Sequence, residues 1–433
     1  MGNQTNTVEE SAKPERSDLH VLRSFGLGVI TGAADDDCSA VGTYSQAGAK
    51  FGYTLLWTAP YLLPMMVTVV YLSSKLGQVT GQGLFSVIKT HYSTGLLYAI
   101  LLAVIIGNTI EAVADIGGIA AALGLVIPVP QALLVVAVTI VSLVLQIWGS
   151  YRLITNVFRF LALALLGYVI SMFLAHPDWG AIRTAVLHPQ IRLDRDSLSI
   201  LVAMIGTALS AYLFTWQSNA EVEEKKAKGK MKLHERRGTT DTHLRRTLLD
   251  VFFGMFFSVI VMYAIIIATA ATLYASGTHN IESAADAAKA LTPVAGKAAS
   301  LLFTVGIVGV GFLAIPVMTT GAAYDVCQSF AVKNGLNLSV GEGKVFYGTI
   351  VAVMAAAAGM NLIGINPMKA LVFAGIVQGF STPPLMLLIM VMTNRRNIMG
   401  DKTNSLLVNA FGWTTTAAMF AATGALIYTW IAR

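Results

Sequence analysis

The sequence has few charged side chains: only 12% of its 433 residues are Asp, Glu, Lys or Arg, whereas 55% are hydrophobic. Soluble proteins carry about 25% charged residues, so this composition excludes a soluble globular protein. Cysteine is also scarce, and the pair Cys38 and Cys327 does not make a disulfide framework. HExxH, GxSxG and ATP-binding motifs are absent, which argues against a hydrolytic enzyme and against direct ATP drive. We therefore predict that the protein is not an enzyme and has no cofactor.

Runs of about 20 apolar residues recur along the whole chain, and each is long enough to cross a hydrocarbon core of about 30 Å as a helix. The sequence predicts an all-α polytopic membrane protein, with a polar cytoplasmic tail at 1–22 and a single transmembrane domain at 23–433. The eleven predicted spans are 24–48, 52–75, 94–126, 129–149, 152–175, 197–219, 246–275, 296–328, 343–363, 367–394 and 404–431.

Basic residues cluster in the linker after the sixth span, "EVEEKKAKGKMKLHERRGTTDTHLRR", which holds nine Lys and Arg. The positive-inside rule places this linker in the cytoplasm, so the N-terminus is predicted to be cytoplasmic and the C-terminus extracellular. A nucleic-acid patch is the competing interpretation of "KKAKGKMK", but a topology signal that touches anionic lipid explains it more simply. We predict a multi-pass protein of the cell membrane whose partner is the lipid bilayer, with no nucleic acid and no obligatory protein partner.

Three consecutive aspartates lie inside the first span, in "TGAADDDCSAVG". Asp35 follows Arg23 by about twelve residues, roughly 18 Å along a helix, which is near the middle of the membrane. Charged groups at that depth are expensive and usually mark a site or a pathway. Gly32 and Gly42 flank small residues that need not stay helical, so this segment can expose free carbonyl groups beside the carboxylates. Oxygen ligands of both kinds suit a hard cation such as Mg²⁺ or Ca²⁺; a helix cap at the membrane edge is the alternative.

Two further spans carry polar residues where a lipid-facing helix would carry leucine. In the sixth span, Thr207 and Ser210 are three residues apart and so share a face, although helix packing through small residues gives the same pattern. In the third span, "GNTIEAVADIGG" places Asn108, Glu111 and Asp115 on one helix face. This face is consistent with a cation vestibule or a proton relay, and a polar patch near the membrane surface is the alternative.

The interruptions in the first and sixth spans occupy corresponding positions in two five-span halves. Transporters built from inverted repeats place broken helices in this way around a site at the membrane midplane. We therefore predict a first repeat at about 24–175, a second at about 197–394 and an extra helix at 404–431. Gln378, in the middle of the tenth span, is either a ligand in that cavity or a helix–helix hydrogen bond.

The residues after the aspartates, "GTYSQAGAKFGY", resemble the sequence that follows the Asp-Pro-Gly-Asn motif in helix one of the Nramp family of divalent-metal transporters. In this alignment Asp37 falls on the family's metal-binding aspartate, and Cys38, Ser39 and Ala40 replace the Pro, Gly and Asn. The resemblance covers nearly the whole chain. It implies the LeuT-type fold, with two inverted five-helix repeats plus an eleventh helix, and inward metal transport.

The helix-six motif of that family, Ala-Thr-Val-Met-Pro-His followed by a second His, aligns with "TALSAYLFTWQS". Thr207 then falls on the residue that gives a carbonyl ligand, and Ser210 falls on the metal-binding Met. Ala211 replaces the Pro, and Tyr212 and Gln217 replace the two histidines.

These departures resemble a divergent branch, the Nramp-related magnesium transporters. A methionine sulfur favours soft transition metals, whereas oxygen suits Mg²⁺, Ca²⁺ and Mn²⁺. Ser210 and Ala40 are smaller than Met and Asn, so a wider site would admit Mg²⁺ with several waters attached, which suits an ion that dehydrates reluctantly. The resemblance therefore implies a transporter of hydrated Mg²⁺ that also passes Mn²⁺.

Proton coupling in the family uses histidines in helix six, paired acids in helix three and an arginine in helix nine. Asp115 matches one helix-three acid, but Ala112 replaces its partner aspartate, and the ninth span has no arginine. We therefore predict transport without proton coupling. The alternative within the family is a proton-coupled Mn²⁺/Fe²⁺ symporter, and the alternative from another class is a polyamine or amino-acid transporter of the same fold.

The predicted site residues fall into two groups. The predicted metal-site residues are Asp37, Thr207, Ser210, Ala34 and Gln378, and the transported Mg²⁺ or Mn²⁺ is their substrate. The predicted cavity or vestibule residues are Asp36, Ala40, Tyr212, Asn108, Glu111 and Asp115.

Overall fold

The structure is a computed structural model that describes residues 26–148, 166–336 and 338–431. The predicted tail, 1–22, and most of the predicted fifth span, 152–175, lie outside the described residues. The described residues form helices and contain no β-strand.

The helices are numbered in chain order. They are α1 (Leu27–Asp35), α2 (Cys38–Phe51), α3 (Thr58–Thr80), α4 (Leu84–His91), α5 (Thr94–Leu123), α6 (Gln131–Trp148), α7 (Leu166–Leu174), α8 (Trp179–Leu187), α9 (Arg195–Ala208), α10 (Ala211–Ala227), α11 (Leu233–Arg236), α12 (Asp241–Thr269), α13 (Ala284–Lys289), α14 (Thr292–Ala295), α15 (Ala299–Phe330), α16 (Lys344–Leu362), α17 (Pro367–Asn394), α18 (Arg396–Met399) and α19 (Leu406–Ile431).

Nine helical stretches of the described chain are long and apolar enough to cross a membrane. They coincide with nine of the eleven predicted spans. The other two are the first span, which is divided into α1 and α2, and the fifth span, of which only α7 is described. The sixth span extends beyond its predicted end, because α10 continues to Ala227.

The first and sixth spans are both broken, and neither break contains a proline. α1 ends at Asp35, and Asp37 adopts extended backbone (φ −66°, ψ −175°) before α2 begins. The Asp37 side chain accepts a hydrogen bond from the backbone N–H of Ala40 and so caps α2. α9 ends at Ala208, and Ser210 is extended (φ −61°, ψ 135°) before α10 begins. Both breaks therefore contain an extended residue, and a side-chain cap is present at the first break only.

α1 lies against α12 in close backbone contact. A Cβ atom added at Gly32 would lie 2.3 Å from the carbonyl oxygen of Gly254. At the start of α1, the Asp250 carboxylate accepts hydrogen bonds from the backbone N–H groups of Gly26 (3.0 Å) and Gly28 (2.7 Å). Negative charge at a helix N-terminus is favourable, so Asp250 and the glycine contact together hold α1 on α12.

Gly32→Ala is expected to lower the free energy of unfolding by about 1–3 kcal/mol, because the added methyl group must push α1 away from the α12 backbone. Thermal unfolding of the detergent-purified variant measures this loss. Gly95→Ala is the matched control, since nothing lies within 4 Å of a Cβ atom there. Equal melting temperatures for the two variants would contradict the importance of the close contact.

Candidate metal site

Three buried carboxylates meet where the break in the first span packs against α5. One oxygen from each of Asp37, Glu111 and Asp115 lies within 4.8 Å of the others, and each residue is at most 1% exposed. No ion pair of the described residues includes any of the three. Glu111 and Asp115 are one turn apart on α5, as their spacing indicates. Ionised together, the three side chains would place three negative charges inside the helix bundle.

Asp37 is held in one orientation by hydrogen bonds to both of its oxygens. Oδ1 accepts from the backbone N–H of Ala40 (2.8 Å) and from the Ser39 hydroxyl (2.9 Å). Oδ2 lies 2.9 Å from the Tyr212 hydroxyl, which is also 2.9 Å from the carbonyl oxygen of Ala34. Tyr212 belongs to α10, so this one hydroxyl joins the second half of the sixth span to both sides of the break in the first.

The two helix breaks touch each other directly. Thr207 Oγ1 lies 3.2 Å from Ser39 Oγ. The Ser210 hydroxyl turns back toward α9 and lies 2.9 Å from the Thr207 carbonyl oxygen and 3.1 Å from that of Gly206. Two of the predicted ligand groups, the Asp37 carboxylate and the Thr207 carbonyl, are therefore already hydrogen-bonded to hydroxyls of the protein.

Gln378 of α17 contributes to the same region. Its Oε1 lies 3.2 Å from the backbone nitrogen of Ala211, which is a hydrogen bond between helices. Its Nε2 is buried without a hydrogen-bond partner in the described chain, as are both polar atoms of the Asn108 side chain and both oxygens of Glu111. Glu111 faces Ser39, Gln378 and Asp37, but at distances or angles outside hydrogen-bond geometry. An unsatisfied buried polar group costs about 1–3 kcal/mol, so the unpaired atoms of Gln378, Asn108 and Glu111 favour a polar group or ion beside them.

The other predicted cavity residues have different surroundings. Ala40 contributes its backbone N–H to Asp37. Asp36 makes its contact with Ser258 of α12, at 3.1 Å, and is not hydrogen-bonded to the Asp37 cluster. Ser39 and Ser258 were not among the predicted site residues. Ser39 could have been noticed as a hydroxyl within the helix-one motif, whereas Ser258 is a lone serine in the apolar run "GMFFSVIVM" and carries no spacing signal.

A line of polar contacts leads away from the break along α10. The Thr31 hydroxyl donates to Gln217 Oε1 (2.5 Å), and Gln217 Nε2 donates to Glu221 Oε1 (3.4 Å). The Ser74 hydroxyl donates to the same carboxylate. All four side chains are buried. At Gln217, the position aligned with the family's second histidine, an amide therefore joins α1 to α10.

The sequence of this chain matches a known protein family. The chain matches the model of the natural resistance-associated macrophage protein-like family, Nramp, over residues 28–429. The divalent metal cation transporter MntH of Chromohalobacter salexigens is 26% identical over 410 residues, which cover 93% of this chain and 90% of that protein. MntH of Deinococcus radiodurans is 24% identical over 428 residues, with 98% and 93% covered. These relatives are transporters and not enzymes.

Solved structures show the same fold. The Eremococcus coleocola manganese transporter aligns with a TM-score of 0.71 at 18% identity, over 96% of this chain and 88% of that one. Mhp1, a transporter of the nucleobase-cation-symport-1 family, aligns with a TM-score of 0.55 at 12% identity, over 94% and 92%. The predicted all-α LeuT-type fold is confirmed. Because the family model covers nearly the whole chain, this multi-pass membrane protein belongs to the Nramp family.

Proposed function

We propose that the protein imports hydrated Mg²⁺, and also Mn²⁺, by alternating access between its two repeats and without proton coupling. The observation that carries the proposal is the cluster of Asp37, Glu111 and Asp115, which has no basic partner among the described residues. Three carboxylates favour a cation and repel the carboxylate of an amino acid. The relatives named as divalent metal and manganese transporters support the same class of substrate.

The donor atoms of the cluster favour a hard ion. Carboxylate, carbonyl and hydroxyl oxygens suit Mg²⁺ and Mn²⁺, whereas sulfur selects softer metals. Ser210 provides a hydroxyl where the family has a thioether. The Cys38 thiol lies 3.6 Å from the carbonyl oxygen of Ile307 on α15, and the Cys38 backbone N–H donates to Asp115 Oδ1 at 3.2 Å.

The hydroxyl groups support binding through water. Ser39, Ser210 and Tyr212 already lie within hydrogen-bond distance of the oxygens of Asp37, Thr207 and Ala34. A bare ion that binds these oxygens directly would have to displace the hydroxyl groups that already contact them. The waters of a hydrated ion can instead donate to the remaining lone pairs, and Mg²⁺ keeps several waters in most protein sites.

Asp37→Ala is expected to reduce Mg²⁺ uptake into proteoliposomes at least about tenfold, since hydrogen bonds to a charged group are worth about 1.5–3 kcal/mol. Asp196→Asn is the matched control, because that carboxylate is 65% exposed in its pair with Lys50 and exposed pairs contribute little. If Asp37→Ala takes up Mg²⁺ as fast as wild type and Asp36→Ala does not, Asp36 and not Asp37 is the ion ligand. If the wild-type protein takes up putrescine but not Mg²⁺, the result favours a polyamine transporter.

Ser210→Met is expected to shift selectivity toward Mn²⁺, because a thioether is a soft ligand and a larger side chain narrows the site. The measurement is Mn²⁺ uptake in the presence of excess Mg²⁺, and we expect about tenfold more Mg²⁺ to be needed for half-inhibition. Ser276→Met, at an exposed serine, should leave the competition unchanged. If both variants behave as wild type, Ser210 does not line the ion site.

Proton-coupled symport of Mn²⁺ or Fe²⁺ is the second candidate, and the charge of the cluster is the observation that favours it. A divalent ion neutralises two of the three carboxylates, and a proton can neutralise the third. In our proposal that proton stays on the protein throughout the cycle. Tyr212 and Gln217 in place of histidines, and the absence of arginine from α16, support this version. An inside-negative potential of 100 mV alone favours entry of a divalent ion by about 4.6 kcal/mol.

Proteoliposomes that contain a pH-sensitive dye separate the two mechanisms. With the membrane potential clamped, we expect no internal acidification during Mg²⁺ or Mn²⁺ influx, because no proton crosses with the ion. Addition of a protonophore under a pH gradient verifies that the dye responds. Acidification that rises in proportion to metal influx would refute the uncoupled mechanism and support symport.

A further inference from the structure

A buried carboxylate on α15 takes no part in the Asp37 cluster. Asp325 is 0% exposed, and neither of its oxygens has a hydrogen-bond partner in the described part of the chain. No ion pair of the described residues includes it. A proton on one oxygen would remove the charge, but the other oxygen would still lack a donor. Ionisable side chains buried within membrane spans usually mark a site or a pathway.

Helical spacing and two direct contacts place Asp325 between α10 and α15. Gly321, Asp325 and Gln328 are four and three residues apart, so they share one face of α15. A Cβ atom added at Gly321 would lie 3.2 Å from Thr215 Oγ1, and Gln328 Nε2 donates to Asn219 Oδ1 at 2.5 Å. Thr215 and Asn219 are one turn apart on α10. Asp325 therefore faces α10 between these two polar side chains.

The same face of α10 begins at the Asp37 cluster. Tyr212, Thr215 and Asn219 follow one another at intervals of three and four residues, and all three are buried. The Tyr212 hydroxyl lies 2.9 Å from Asp37 Oδ2, and the Thr215 hydroxyl donates to the Tyr212 carbonyl oxygen at 3.1 Å. Asp325, the only acidic residue of α15, thus lies beyond the cluster on the side of the linker that is predicted to be cytoplasmic.

Two amide side chains close the interface beyond Asp325. The hydrogen bond between Asn219 and Gln328 joins α10 to α15, and Gln328 Oε1 accepts from the backbone N–H of Ser86 in α4 at 3.1 Å. Gly83, just before α4, packs against the same amides, because a Cβ atom there would lie 2.0 Å from Asn219 Oδ1. A cation beside Asp325 would therefore lie between the Asp37 cluster and a closed end of the helix interface.

We infer that Asp325 is a second cation contact on the import route, which a hydrated divalent ion reaches after it leaves the Asp37 cluster. This inference rests on the proposed import of divalent cations. The carboxylate favours a cation because it has no basic partner among the described residues. Mg²⁺ in proteins often binds through one or two carboxylates and keeps several waters. A single carboxylate holds such an ion weakly, which suits a position from which the ion must be released.

Uptake of Mn²⁺ into proteoliposomes by the full chain tests this inference, and equilibrium dialysis of Mn²⁺ is the second measurement. Asp325→Asn keeps the size of the side chain and removes its charge. We expect its maximal uptake rate to fall at least about tenfold, while the dissociation constant of the tightest Mn²⁺ site stays within about twofold of wild type. Asp196→Asn, whose carboxylate is 65% exposed, should match wild type in both measurements.

Exchange of the two side chains across the interface separates a role in transport from a role in packing. In Asp325→Asn/Asn219→Asp the carboxylate moves to the facing helix, and the composition of the interface is unchanged. We expect this double variant to recover at least about half of the wild-type maximal rate. Its failure to recover any of the lost rate would assign the loss to packing and overturn the inference.

Three further outcomes bear on Asp325. A wild-type maximal rate in Asp325→Asn would overturn the inference, and so would a weakened tight site, because Asp325 would then act through the Asp37 cluster. If Asp325→Asn does not fold, Asp325→Glu and Asp325→Gln form the comparison, since both add the same methylene group. A faster rate for the glutamate variant supports the cation contact, and equal rates overturn it.

The proposed metal import can fail separately. If wild type takes up putrescine but neither Mg²⁺ nor Mn²⁺, the proposed function is contradicted, and putrescine becomes the cation with which the same variants are compared. A maximal putrescine uptake rate that Asp325→Asn lowers at least about tenfold would support the cation contact. An unchanged rate would overturn it.

Discussion

Negative charge buried at a helix break is the constraint on which the rest of this structure depends. Asp35, Asp36 and Asp37 lie where α1 separates from α2, and Glu111 and Asp115 approach from α5. Two like charges 4 Å apart repel by about 4 kcal/mol at an effective dielectric constant of 20. Three kinds of group can offset such repulsion here: helix N-termini, hydroxyl donors and a cation. The break provides the first of these, because Asp37 caps α2 through the Ala40 N–H.

Hydroxyl donors are the second kind of group that offsets this repulsion, and they also connect the broken helices to each other. Ser39 bridges Asp37 and Thr207, and the Tyr212 hydroxyl lies 2.9 Å from an oxygen of Asp37 and 2.9 Å from the carbonyl oxygen of Ala34, to either of which it can donate its proton. A hydroxyl can donate to a carboxylate or accept from a water, so the same side chains can serve the protein alone and a hydrated ion. A thioether cannot donate and accepts only weakly, so Ser210, in place of the family's methionine, changes the hydrogen bonding of the site as well as its size.

The spans and both breaks could be predicted from the sequence because they depend on local composition. Apolar length sets the spans, and the aspartates between Gly32 and Gly42 mark the first break. The face that holds Glu111 and Asp115 was likewise visible from its spacing. What the spacing could not show is that this face lies within 4.8 Å of Asp37, since that distance depends on how α5 packs against the break.

The contacts of the other aspartates were also hidden in the sequence. The neighbours Asp36 and Asp37 look equivalent in the triplet, but extended backbone at Asp37 separates the directions of their side chains. Ser258 stands alone in an apolar helix and has no periodic partner. Its role becomes visible only when the contact between Gly32 and Gly254 fixes how α1 lies on α12.

The same contacts link the buried charges to the position of α1. Gly32 and the Asp250 carboxylate hold α1 on α12, whereas Thr31 and the Ala34 carbonyl bond it to Gln217 and Tyr212 of α10. Any movement of α1 away from α10 must break both of these hydrogen bonds. One of them involves the hydroxyl that also contacts Asp37. The single proton of that hydroxyl can go to the Ala34 carbonyl or to Asp37, so in the proposed import cycle a change in the charge around Asp37 would change the strength of a contact that holds α1 in place, and Tyr212 would couple ion occupancy to helix position.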